Sequence, residues 1–282
     1  MTEALSLPIS VAQNRPLPSP GLMGPALSLC YRELIRFLRQ KHRIIGALAT
    51  PIVFWLLIGG GMSRSFQSPG QTTGGGYIEY FFPGTVLMIL LFTAIFSTIS
   101  IIEDRKEGFL QSVLVAPVSR MSIVLGKVLG GTVLAFGQAF LFLLLAPTVK
   151  IHLSLVGFLG SLVMMFILAF GLTALGFCIA WRMSSTQGFH AIMNLFLMPM
   201  WFLSGALFPP AGAAGVIRMV MLANPLTYGL CGLRWMMYWN NPELTAKLPP
   251  FAVCVIVSVV SAVAVFLLAS SIAHKRTTAD LA

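Results

Sequence analysis

Five ionisable side chains stand in a row at Glu103, Asp104, Arg105, Lys106 and Glu107, immediately before Gly108. They interrupt two apolar runs, 81–102 and 128–149, in a chain of which only 9% is charged. The segment that follows reaches Pro117 and Arg120 and sets Phe109, Leu110, Val113 and Leu114 along one side of a short helix. Charges set register and apolar side chains supply contact, so this island suits a surface on which another polypeptide docks. The competing reading is a topogenic loop whose cations fix orientation, but such a loop needs neither acids nor an amphipathic turn.

Other residues with chemical potential do not assemble. Cys30, Cys178, Cys231 and Cys254 are scattered without a C-x-x-C pair, and His42, His152, His190 and His274 lie far apart, so no metal set is expected. Ser204-Gly205 lacks the upstream glycine of a nucleophile elbow. The Gly126-Lys127 pair has Met121 where a phosphate-binding loop needs its first glycine and Val128 where Ser or Thr must follow, so the chain does not bind ATP by that route. The long apolar runs contain no acid to carry protons or cations, which disfavours an ion-driven carrier.

The elements that must hold the island are membrane spans. The chain has 282 residues, 57% of them hydrophobic and only 9% charged, against about 25% charged in an ordinary soluble domain. Six charge-free runs (44–63, 80–102, 128–149, 151–181, 183–217 and 248–274) each reach the ~20 residues a helix needs to cross the hydrocarbon core. The unbroken apolar run 86–92 excludes the alternation of a β-barrel. With the N-terminus inside, Arg64, Lys150, Arg218, Arg234 and Lys247 are the outer cations and the other 13 of 18 Lys and Arg are inner, which places both termini and the island in the cytoplasm. The formal charge of +10 therefore flanks membrane and does not serve a nucleic acid.

Residues 1–24, with Pro8, Pro16, Pro18 and Pro20, read as a flexible cytoplasmic tail, and 275–282 as a second. Between them, 25–43 carries Leu27, Cys30, Tyr31, Leu34, Phe37 and Leu38 at helical spacing, with Arg32, Arg36, Arg39 and Arg43 on the other side. This predicts an interfacial helix, with Tyr31, Arg32, Glu33 and Arg36 at its centre, touching lipid or a partner. Pro199 predicts a kink in the fifth span. Beyond Pro209-Pro210 the pieces 212–223 and 226–239 are too short to span and read as outer re-entrant helices in region 210–250. Arg218 and Arg234 are expected to snorkel to outer headgroups, with Trp235, Tyr238 and Trp239 in the aromatic belt.

These residues resemble the membrane subunits of ABC-2 type exporters over nearly the whole chain, from about Leu27 to His274. The island carries the resemblance through Glu103, Gly108, Leu114, Pro117 and Arg120, and a second match runs through the segment 202–209, Asn224-Pro225-Leu226-Thr227-Tyr228 and Arg234. The resemblance implies an all-α membrane fold of six transmembrane helices, with residues 44–274 as the membrane domain and 103–120 as a cytoplasmic coupling helix. It implies a subunit without catalytic residues or cofactor, which pairs with a second copy and with a separate ATP-binding cassette ATPase in a bacterial plasma membrane. Glu103, Asp104, Arg105, Gly108, Phe109, Leu110, Leu114, Pro117 and Arg120 would then couple to that ATPase. The path would run between the second and fifth spans past Thr93, Ser97, Thr98, Ser100, Asn194, Met198 and Met200. An amphipathic, lipid-like or drug-like cargo is the expected substrate, and a passive channel or scaffold without an ATPase is the alternative.

Overall fold

The computed structural model describes residues 21–62, 76–246 and 248–274, and every regular element in them is helical. Most of the expected N-terminal tail, all of 275–282, and Arg64 and Lys247 lie outside the described residues. Helix α1 (Met23–Arg39) breaks at Gln40 before α2 (Lys41–Met62). Then come α3 (Tyr77–Ser97), α4 (Ile99–Lys106), α5 (Phe109–Val115), α6 (Arg120–Leu143), α7 (Leu155–Ala180) and α8 (Thr186–Trp201). After a π-helical turn, Phe202–Ala206, the chain forms α9 (Gly215–Ala223), α10 (Pro225–Met237), α11 (Pro242–Thr245) and α12 (Phe251–His274).

Five of these units are long and apolar enough to cross a membrane: Tyr77–Lys106, Arg120–Leu143, Leu155–Ala180, Thr186–Ala206 and Phe251–His274. The first expected span corresponds to α2, whose shorter apolar stretch is Leu48–Met62. Helices α9 and α10 meet at 78°, a broken pair of the kind anticipated. Side-chain caps set several starts: Ser119, Ser154 and Ser185 accept from the backbone N–H three residues on, and Asn224 from Leu226 N–H.

The core lies where α2, α3, α6, α7 and α10 meet. Phe82 stacks on Phe142 at 4.9 Å between centroids, and Trp55 of α2 meets both edge-on at 5.9 and 5.4 Å. Helix α3 is enclosed almost all round, with Phe81, Phe82, Leu87, Ile89, Leu90 and Leu91 fully buried. Helix α12 packs on α7 and α10 yet leaves Ile256, Val260, Val263 and Leu267 exposed at helical spacing, an outer face suited to hydrocarbon.

Three expectations need correcting. The helical span before the island does not stop at 102: α4 carries Glu103 to Lys106, so only α5 forms the short amphipathic helix and 116–119 is loop. Helix α1 buries Ala26, Leu29, Cys30, Glu33 and Phe37, while Leu27, Tyr31 and Leu38 are exposed. Its buried stripe is turned because Gly126 and Gly130 of α6 admit its backbone. A Cβ at Gly126 would lie 2.7 Å from Ala26 O, and one at Gly130 2.8 Å from Glu33 Cβ. Finally, α8 continues through Pro199, and the break falls at Gly205, where φ is +88° and glycine meets no Cβ penalty.

Candidate functional site

The island is built inward as much as outward. Lys127 of α6, 5% exposed, donates from Nζ to Glu33 Oε1 of α1 at 2.5 Å and to Asp104 Oδ2 of α4, and lies 3.4 Å from Ser100 Oγ. Asp104 is wholly buried and also receives both guanidinium arms of Arg32 (2.9 and 3.0 Å) and Nη1 of Arg36 (2.7 Å). Arg36 reaches further to Glu103 (2.9 Å) and Glu107 (3.1 Å). The Arg32 guanidinium lies 3.6 Å over the Phe109 ring, tying α5 to the same cluster.

This arrangement follows from solvation. A buried carboxylate or ammonium is tolerated only when paired and hydrogen-bonded, and the buried ions Lys127, Glu33 and Asp104 each have at least two partners. Burial alone would lower the Arg32 pKa, but the Asp104 contacts, with Glu33 and Glu107, outweigh it and leave it raised. Burial and then the Glu33 charge push the Cys30 thiol up, so it stays protonated and inert.

Two further cations, Arg105 and Arg120, serve helix ends. Arg105 donates to Trp181 O (2.7 Å) and Met183 O (2.9 Å), at the end of α7 and just beyond it. Arg120 donates to Ala273 O near the end of α12 at 2.8 Å. Carbonyls at a helix C-terminus lack intrahelical donors, and a cation there satisfies them and the dipole together. Asp104, Arg105 and Arg120, expected to set register against a partner, are therefore engaged within the chain. Leu110, expected on a protruding ridge, is 2% exposed, and Phe109, Val113 and Leu114 are half-buried. The outward rim of the island is instead Lys106, Glu107, Gln111, Ser112, Val115 and Pro117. Gly108 enters α5 at φ +74°, a left-handed corner that turns the short helix away from α4.

The path residues divide. A cavity of about 610 Å³ between α2, α3 and α8 is lined by Thr93, Ser97, Asn194 and Met198, together with Phe92, Phe96, His190 and Glu103. Asn194 is exposed, and its side chain makes no hydrogen bond among the described residues. Thr93 donates to Gln138 Oε1 of α6 at 2.6 Å, and Ser97 returns its proton to Ala94 O. Thr98, Ser100 and Met200 do not reach this cavity. Thr98 bonds Ile95 O and faces Gly176 of α7, Ser100 faces Lys127, and Met200 borders a separate small apolar cleft.

At the opposite end of the bundle the π turn frees carbonyls that need donors. Gly205 O accepts from Tyr80 Oη at 3.1 Å and Arg234 Nη2 at 3.0 Å, Leu207 O from Tyr77 Oη at 3.0 Å, and Met200 O from Asn224 Nδ2 at 2.7 Å. Arg234 is thus buried and does not snorkel, and Tyr238 is buried too, donating to Glu79 O at 2.7 Å. Trp235 bonds Pro249 O, and Trp239 alone of the expected belt is well exposed. Sequence reasoning missed Lys127 and Glu33 as a buried pair. The signal was a lysine within an otherwise apolar helix and one acid among the arginines of α1.

Comparison with known proteins places this geometry. The profile described as "ABC-2 type transporter" matches residues 26–238, which takes in α1, the island, the cavity and the broken pair. The protein named transport permease ycf38 in Cyanophora paradoxa is 26% identical over 74% of this chain and 72% of its own length. Its namesake in Pyropia yezoensis is 24% identical over 88% and 86%. The daunorubicin resistance ABC transporter permease protein DrrB1 of Streptomyces coeruleorubidus is 22% identical over 77% and 76%. With most of its length matched, the chain belongs to the ABC-2 type transporter family and is a multi-span permease subunit.

Proposed function

We propose that the chain is the membrane half of an ATP-driven exporter, with its termini and island in the cytoplasm of a bacterial cell. A separate ATP-binding cassette subunit docks on the outward rim of α5, and two copies of this chain border the path. The observation that carries the reading is the mechanical continuity of the island. Helix α5 is bound through Phe109 to Arg32, Arg32 to Asp104, and Asp104 to Lys127, so a push on α5 is delivered to α1, α4 and α6 together. A bare topogenic loop has no use for such a train. The ATPase binds and hydrolyses the nucleotide, and this chain contributes no group to that chemistry.

The cavity between α3 and α8 supports an amphipathic cargo. Phe92, Phe96, Met88 and Met198 give it apolar walls, and Asn194, His190 and Thr93 give it a few polar contacts. Such a site suits a drug-like or lipid-like molecule better than a long sugar chain, which would call for more hydroxyls and stacking rings.

Val115 is 87% exposed on the rim, so Val115→Asp changes the docking face without touching the core. The variant should insert normally but recover less than a tenth of the wild-type ATPase subunit on affinity purification, with a matching loss of ATP-dependent efflux. Full recovery of the ATPase and full efflux would contradict docking at this rim.

A further inference from the structure

The broken pair α9–α10 encloses a second cavity, at the opposite end of the bundle from the island, of about 380 Å³. Arg234 is on its wall, 6% exposed, with its guanidinium 4.2 Å over the Tyr80 ring. Nη2 donates to Gly205 O, but Nε is enclosed without a partner, and Nη1 makes no hydrogen bond among the described residues. No carboxylate is paired with this cation in the described structure. A desolvated guanidinium left half-satisfied is costly, and the fork it presents matches a carboxylate or phosphate.

We infer that this cavity is a binding site for an amphiphile with a single anionic head, carboxylate or phosphate. The hydroxyls nearby are not donors for it, because Ser204, Thr227 and Tyr238 give their protons to Trp201 O, Met221 O and Glu79 O. The arginines therefore do the recognising, Arg234 from within and the exposed Arg218 from the rim. Among the described residues the cavity wall carries just these two cations, which suits one small anionic head better than a polyanion. Leu222, Leu230, Leu244 and Leu248 form apolar walls for the start of a tail. The binding claim stands apart from the export reading, and only the ligand's being cargo rests on that reading.

The test uses the full-length chain in nonionic detergent, without any ATPase, and native mass spectrometry with dodecyl phosphate, dodecanoate, dodecanol and inorganic phosphate. Dodecyl phosphate or dodecanoate should bind at least tenfold more tightly than dodecanol or inorganic phosphate. Arg234→Gln should remove that preference. Arg218→Glu, at an exposed site where folding is not at stake, should weaken the anionic amphiphiles severalfold and leave dodecanol unchanged. Equal binding of dodecanol and dodecyl phosphate, or an unaltered preference in Arg218→Glu, would overturn the site. The two sources of such a head are then separated with the ATPase complex in lipid nanodiscs: a ligand released on ATP turnover is cargo, and one retained throughout is a membrane lipid. Failure to bind would leave the export reading standing, since no step of this assay depends on it.

Discussion

Lys127 is the residue on which the island turns. Replacing it with Met leaves the buried Glu33 with only the partly exposed Arg32, at 3.3 Å, and strips one donor from Asp104, a loss of up to about 3–5 kcal/mol, the cost of breaking a buried pair. Lys127→Met should therefore lower the thermal midpoint sharply. Adding Glu33→Gln should recover part of the loss, because an amide needs no counter-ion there, and the double-mutant cycle measures the coupling. If the two losses simply added, the pair would not be coupled. Little of this pairing was legible beforehand. Charge counting puts Lys127 with the inner cations, and a search for a phosphate-binding loop uses it only as the lysine after Gly126. Pairing Glu33 with it requires knowing that α1 lies on α6, and that contact is encoded only in the spacing of Gly126 and Gly130.

At the scale of elements, Gly108 decides where α5 points. A β-branched residue in its left-handed conformation costs about 1–2 kcal/mol, whereas Asn visits that region more readily. Gly108→Val should keep the chain inserted and folded but cut coupled ATP hydrolysis several-fold, and Gly108→Asn should retain most of it. An unaffected Gly108→Val would show that the angle of α5 is not transmitted. The elements were legible where periodicity or capping chemistry speaks: the apolar runs gave the spans, and Asn224-Pro225 gave the break between α9 and α10. They were misread where tertiary contacts override a local signal. Pro199 reads as the kink, yet α8 absorbs it and the bend falls at Gly205, because Tyr80 and Arg234 are there to receive the freed carbonyl. Arg234 reads as a snorkelling outer cation for the same reason, since nothing local announces that a broken helix will need its guanidinium.

For the whole molecule, hydropathy and charge were enough to give an all-helical membrane fold, and the family match over 26–238 agrees with it. What they could not give is which face of each helix meets lipid, because an apolar helix in a membrane has no polar side to betray its exposure. Thus α12 leaves most of its surface open while α3 is enclosed, though both are strongly apolar. The same blindness split the path residues, putting Thr93, Ser97, Asn194 and Met198 around one cavity and sending Thr98, Ser100 and Met200 elsewhere.

The central claim is that the outward rim of α5 is where an ATPase pushes, and site-directed photocross-linking in native membranes tests it most directly. A photoreactive residue at Val115, with a control at Val216 on α9, exposed at 77%, samples both ends of the bundle. The account predicts a cross-link from position 115 to an ATP-binding cassette chain, strengthened or weakened by trapping the nucleotide state, and none from position 216. Cross-links from 115 to lipid alone, in cells that still carry out ATP-dependent efflux through this chain, would contradict it.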